Sequence, residues 1–154
     1  MLEHSLSVEV EASLQRIWTF VSKLENWASS MPGYRTFDAI SERESLWNLN
    51  IGFGSLVRAV LVRAQVELWR EPSEVEFTYR LEKDPVHGDG SFSAQELPNG
   101  NCSMILIIRI IGEGPMSGMW EAMGRPILPK MVKNLANSLK QQIENSEAAV
   151  RSGS

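Results

Sequence analysis

Between Tyr34 and Ile111 the chain repeats one pattern six times: a run of alternating apolar and polar residues, closed by a short turn. The runs are 34–40, 46–53, 56–69, 74–81, 90–96 and 102–111. Turn residues punctuate them at Gly52/Gly54, Glu71-Pro72-Ser73, His87-Gly88-Asp89-Gly90 and Pro98-Asn99-Gly100. Strands joined so closely must pair as an antiparallel meander, because parallel neighbours need long crossovers. Such a sheet buries one face and needs an apolar cover. After Gly112 the period becomes helical: Trp120, Met123, Ile127, Met131, Leu135, Leu139 and Ile143 recur every three or four residues. Pro126 and Pro129 should kink this helix or delay its regular part. It is the one element long enough to cover the sheet, so the chain reads as α+β.

The front of the chain adds a strand and two short helices. Leu6, Val8 and Val10 alternate with polar residues, Ser13 supplies an N-cap, and Ile17, Trp18, Phe20 and Val21 form one helical face. A second short helix over 25–30 stops at Met31-Pro32-Gly33. No repeat, linker or low-complexity block divides the chain, which gives one domain over 1–146 and a small, polar, flexible tail over 147–154. The net charge of −4 argues against a nucleic-acid partner, which needs concentrated positive charge. No apolar run reaches the length of a membrane span, and MLEHSLSVEV lacks the pattern of a secretion signal. The lone Cys102 excludes an internal disulfide and suits a reducing compartment, so the cytoplasm is expected.

Two segments carry a specific resemblance. Val8-Glu-Val-Glu-Ala-Ser-Leu-Gln-Arg-Ile-Trp18-Thr-Phe, followed by Leu24-Glu-Asn-Trp27-Ala-Ser-Ser-Met-Pro32-Gly33, resembles the N-terminal signature of the START-like (SRPBCC) superfamily. The Met-Pro-Gly ending is most similar to the branch that holds the G-type accessory component of carbon monoxide dehydrogenase, with the polyketide cyclase/dehydrase branch second. Residues 54–72, the hairpin 93–102 and the helix 130–140 also sit where that family places equivalent elements. The resemblance implies a helix-grip (START-like/Bet v 1-like) fold: a curved antiparallel sheet of about seven strands around a long C-terminal helix, with a ligand cavity between them. No metal or other cofactor is expected.

Alternation divides the long central strand into two faces. Leu56, Arg58, Val60, Val62, Ala64 and Val66 share one, and Val57, Ala59, Leu61, Arg63, Gln65 and Glu67 the other. The resemblance implies that the first set points inward. On neighbouring strands Trp47, Leu49, Ile51, Phe77, Tyr79, Phe92, Met104, Leu106 and Ile108 would join it. Trp120, Met123, Ile127, Met131 and Leu135 would form the roof. Each of these side chains could equally fill an ordinary core.

Arg58 is the exception on that face, because a buried guanidinium must be paired. Glu121 or Glu113 could pair it, it could reach the rim, or it could anchor a carboxylate or carbonyl of a ligand. Tyr79 is the second polar candidate, as a ligand contact or as a hydrogen-bonded core tyrosine. Catalytic and metal constellations are absent from the pattern. His4 and His87 are the only histidines, far apart, and Cys102 lies in a third place. His87 reads as a turn histidine, or as a base at a cavity mouth. Gly112-Glu-Gly114-Pro-Met-Ser-Gly118 imitates a dinucleotide loop, but Pro115 removes a phosphate-facing N–H and no second strand follows.

These residues lead to two expectations of different kinds. One is non-catalytic binding or transport of a lipid, quinone or polyketide-like molecule, with an accessory role to a molybdenum hydroxylase and peripheral membrane association implied by the resemblance. The other is a cyclase or dehydrase acting on a polycarbonyl chain, which needs a positioned acid or base. The expected lining contains no carboxylate, which favours the binder. The apolar Val57, Ala59 and Leu61 on the outer face suit a dimer or a partner enzyme.

Overall fold

The computed structural model describes residues 1–53 and 55–152. Gly54, one of the expected turn glycines, and the last two residues of the expected tail lie outside them. Strand β1 (Leu2–Val10) is followed by helices α1 (Leu14–Val21) and α2 (Leu24–Ser30). Strands β2 (Tyr34–Ala39), β3 (Glu44–Phe53), β4 (Leu56–Arg70), β5 (Glu74–Leu81), β6 (Val86–Glu96) and β7 (Cys102–Gly112) follow, then α3 (Ser117–Gly124) and α4 (Ile127–Ser152). The strands form one antiparallel sheet in the order β1-β7-β6-β5-β4-β3-β2. The meander is as expected, and the N-terminal strand closes it by pairing with β7.

Local chemistry explains the helix boundaries. The Ser13 hydroxyl accepts from the Arg16 backbone N–H at 3.1 Å, capping α1. The helical period after Gly112 is broken in two at Gly124-Arg125-Pro126, because proline cannot continue a preceding helix. Pro129 falls in the first turn of α4, where its missing N–H has no intrahelical partner to lose. Helical geometry then runs to Ser152, past the expected domain boundary at residue 146, and Glu147 pairs with Arg16 of α1 at 3.5 Å.

Strand β6 begins at Val86, so His87-Gly88-Asp89-Gly90, read from sequence as a turn, is sheet. The glycines have another purpose. Tyr79 pairs across the ladder with Gly88, and Phe77 with Gly90. A Cβ on Gly88 would lie 2.4 Å from the Tyr79 hydroxyl and 2.0 Å from the Arg109 carbonyl oxygen. A Cβ on Gly90 would lie 2.4 Å from the Phe77 ring. Both aromatic rings of β5 therefore lean over β6 into space that any other residue would occupy.

Only one half of the inner face is filled. Helix α4 packs on β1, β7, α1 and α2. There Val132, Leu139 and Ile143 of α4 join Val10, Ile17, Val21, Cys102, Met104 and Leu106 in one buried core. Trp27 marks its limit: its indole N–H donates to the Val21 carbonyl at 2.7 Å. Its ring meets Phe92 edge-on at 5.4 Å and Phe77 at 6.2 Å.

Two outcomes follow. Gly88→Ala should cost about 2 kcal/mol in urea denaturation, the usual range for overpacking. Gly52→Ala, where an added Cβ meets nothing, should stay within about 0.5 kcal/mol; equal effects would refute the slot. Leu139→Ala, at a site 1% exposed, should cost about 3 kcal/mol. Met131→Ala, half-buried toward the other end of α4, should cost about 1 kcal/mol, and a reversed order would refute a core confined to one end.

Candidate functional site

Beyond Trp27 the sheet and α4 diverge and leave a cavity of about 170 Å³. Its floor is Trp47, Leu49 and Ile51 of β3, Arg58, Val60, Val62 and Ala64 of β4, Phe77, Tyr79 and Leu81 of β5, with Val86, Ile108 and Ile110 beside them. Its roof is Trp120, Met123 and Gly124 of α3 with Ile127, Met131 and Leu135 of α4, and Met31 after α2 closes one side. The strand period puts alternate residues here, and two bulges, at Tyr34/Thr36 and Val66/Leu68, bend the sheet around them.

Each polar group of the lining has a partner in the protein, and Arg58 reaches the rim, its side chain 44% exposed. Arg58 is bonded to the carboxylate of Asp84, and its guanidinium lies 5.9 Å from the Trp120 ring centroid, in cation–π range. Asp84 sits in the β5–β6 loop with a side chain only 7% exposed, and its carbonyl accepts from the Val86 N–H at 2.8 Å. The pair thus ties the β3–β4 hairpin to the β5–β6 loop beneath α3. The Tyr79 hydroxyl donates to the Arg109 carbonyl of β7 at 2.7 Å, crossing β6 over Gly88. Burial pushes that phenol well above its ordinary pKa, and the nearby charge of Asp89 adds to the shift.

Most of the expected lining meets here, with corrections. Phe92, Met104 and Leu106 point to the same side of the sheet but lie in the packed core, because Trp27 and α1 fill the space above them. Arg58 finds neither Glu121 nor Glu113. Glu121 binds the N-terminal ammonium and the Gly112 N–H, and Glu113 binds Arg80 on the outer face. His87 is also on that outer face, its Nδ1 3.0 Å from Glu113, and does not border the cavity. Asp84 is the carboxylate that the sequence pattern missed. A loop has no periodicity, so nothing marked its direction. Leu81 was readable in principle, continuing the Phe77–Tyr79 parity. Among the described residues no three His, Cys, Asp or Glu side chains gather as metal ligands.

The tyrosine has a measurable consequence. Its folded pKa is raised, so the stability it confers is complete below the unfolded value of about 10 and is lost as pH rises from there through the folded value. Above pH 10 the wild type should lose up to about 1.4 kcal/mol per pH unit more than Tyr79→Phe in urea denaturation. Parallel pH curves would show that the phenol is not held neutral.

No curated protein matches this chain. Among solved structures, a conserved protein from Geobacillus kaustophilus superposes with a TM-score of 0.80 at 14% identity, covering 94% of this chain and 97% of its own. A START superfamily protein from Mycobacterium smegmatis gives 0.68 at 16% identity, covering 93% and 97%. The ZhuI aromatase/cyclase from Streptomyces sp. R1128 gives 0.65 at 11% identity, covering 96% and 94%. At these identities the likeness is one of fold. One protein-family model matches residues 1–149, nearly the whole chain. With its seven-stranded sheet gripping the C-terminal helix, this chain has the START-like, helix-grip fold.

Proposed function

We propose that the protein binds a hydrophobic small molecule in the cavity between sheet and α4 and does not transform it. The observation that carries this reading is the wall itself. It is apolar apart from one arginine, one aspartate and one phenol, and all three are bonded within the protein. Concave apolar sites of this kind are where small ligands bind. A dry apolar cavity near about 150 Å³ holds a benzene-sized molecule, so the inner space suits a single ring or a short chain. A quinone ring or a lipid segment fits that description.

A cyclase or dehydrase acting on a polycarbonyl chain is favoured by one observation, the presence of Asp84 in the lining, and the aromatase/cyclase neighbour agrees with it. Against it, Arg58 already holds that carboxylate. Accessory service to a molybdenum hydroxylase rests on the Met31-Pro32-Gly33 resemblance. Val57, 70% exposed on the outer strand face, offers apolar surface for such an enzyme or for a second copy. The single buried Cys102 supports a cytoplasmic place for these encounters. No helix of the described residues is long and apolar enough to cross a membrane.

Native mass spectrometry of protein purified from its own host should show a co-purifying apolar ligand. Displacement of a neutral naphthalene fluorophore then locates the site. Val62→Trp, which projects an indole into the cavity, should weaken binding at least about tenfold, or about 1.4 kcal/mol. Val57→Trp, on the opposite face, should leave binding unchanged. Wild-type affinity in Val62→Trp would refute the cavity as the site.

A further inference from the structure

A second cavity, of about 460 Å³, adjoins the first. Ile51, Met123, Ile127 and Met131 line both, so one wall of side chains separates or joins the two spaces. The outer cavity differs in its polar members. Lys130 and Asn134 stand one turn apart on α4, on one helix face, and both border it. Among the described residues neither side chain has an ion-pair or hydrogen-bond partner within the protein.

We infer that the outer cavity receives the anionic head group of an amphipathic ligand, with Lys130 as its counter-ion and Asn134 as a hydrogen-bond donor, while the ligand's apolar part enters the inner cavity. This rests on the inner cavity being a ligand site. The inner cavity cannot take the head group itself. Its one cation, Arg58, is bound to Asp84, so a ligand carboxylate placed there would face the like charge of a nearly buried side chain. Lys130 brings no such neighbour among the residues bordering the outer cavity, and it is exposed to water. The ligand class is therefore a short or medium-chain organic carboxylate, or another anion on a thin apolar body.

Calorimetric titration of the full chain with sodium octanoate and with 1-octanol, at matched ionic strength, tests this. The wild type should bind octanoate more tightly than octanol, and added salt should weaken only octanoate. Lys130→Gln should lower octanoate affinity about fivefold and leave octanol unchanged, the effect expected of a solvent-accessible ion pair. Lys133→Gln, on the same helix but outside both cavities, should change neither. Unchanged octanoate affinity in Lys130→Gln, or equal losses for both ligands, would overturn the head-group assignment and leave the inner cavity reading standing. Failure of both ligands to bind the wild type would overturn the two together.

Discussion

The register between β5 and β6 is the constraint on which the cavity depends. Two aromatic residues on β5 lie opposite two glycines on β6, and the rings fill the places where Cβ atoms would be. The Tyr79 hydroxyl then spans a strand to bond β7, which pins its ring against the sheet. A ring held down this way forms a floor. The same ring standing upright would fill the space beneath α4. Glycine in a strand usually weakens it, yet here the missing side chains are exchanged for a cross-strand aromatic contact and a hydrogen bond.

The second determinant is how α4 divides its length. Its apolar stripe continues from Ile127 to Ile143, but the partners change along it. From Val132 onward it meets the N-terminal strand and α1, and the core there is closed. Toward its start it meets only the roof helix α3 and a receding sheet. Helix α3 has no buried residue, and it is held by Glu121, which binds both the N-terminus and Gly112. Stability and cavity are thus assigned to opposite ends of one helix, with Trp27 between them. A domain of this size can leave space unfilled at one end because the other end holds the buried core.

Much of this was legible in the residues because periodicity reports which face a side chain takes. Alternation on β3, β4 and β5 grouped Trp47, Leu49, Val60, Val62, Phe77 and Tyr79 by face, and the family resemblance turned that face toward the cavity where they lie. Periodicity carries no information on where along a face the space is filled. Phe92, Met104 and Leu106 therefore read like their neighbours although Trp27 and α1 cover them. The glycines of β6 read as a turn because a strand interior rarely contains two, and the reason they are there lies on the next strand. Asp84 was invisible for a third reason. Its position depends on a loop that brings it to Arg58, twenty-six residues away in sequence.

That contact decides what sort of chemistry the inner cavity supports. A general acid or base must be free to exchange a proton with a substrate. Asp84 is bonded to a guanidinium that also rests on Trp120, and the Tyr79 hydroxyl already donates its hydrogen bond to a backbone carbonyl. Disengaging either group would leave a buried charge or a buried carbonyl without its partner, at a cost of roughly 1–3 kcal/mol or more. A ligand with no comparable hydrogen bonds to offer would leave both in place. Selection in the inner cavity then falls to size and shape, with the walls set by Trp47, Phe77 and Met131 and the end closed by an ion pair that faces the ligand already neutralised.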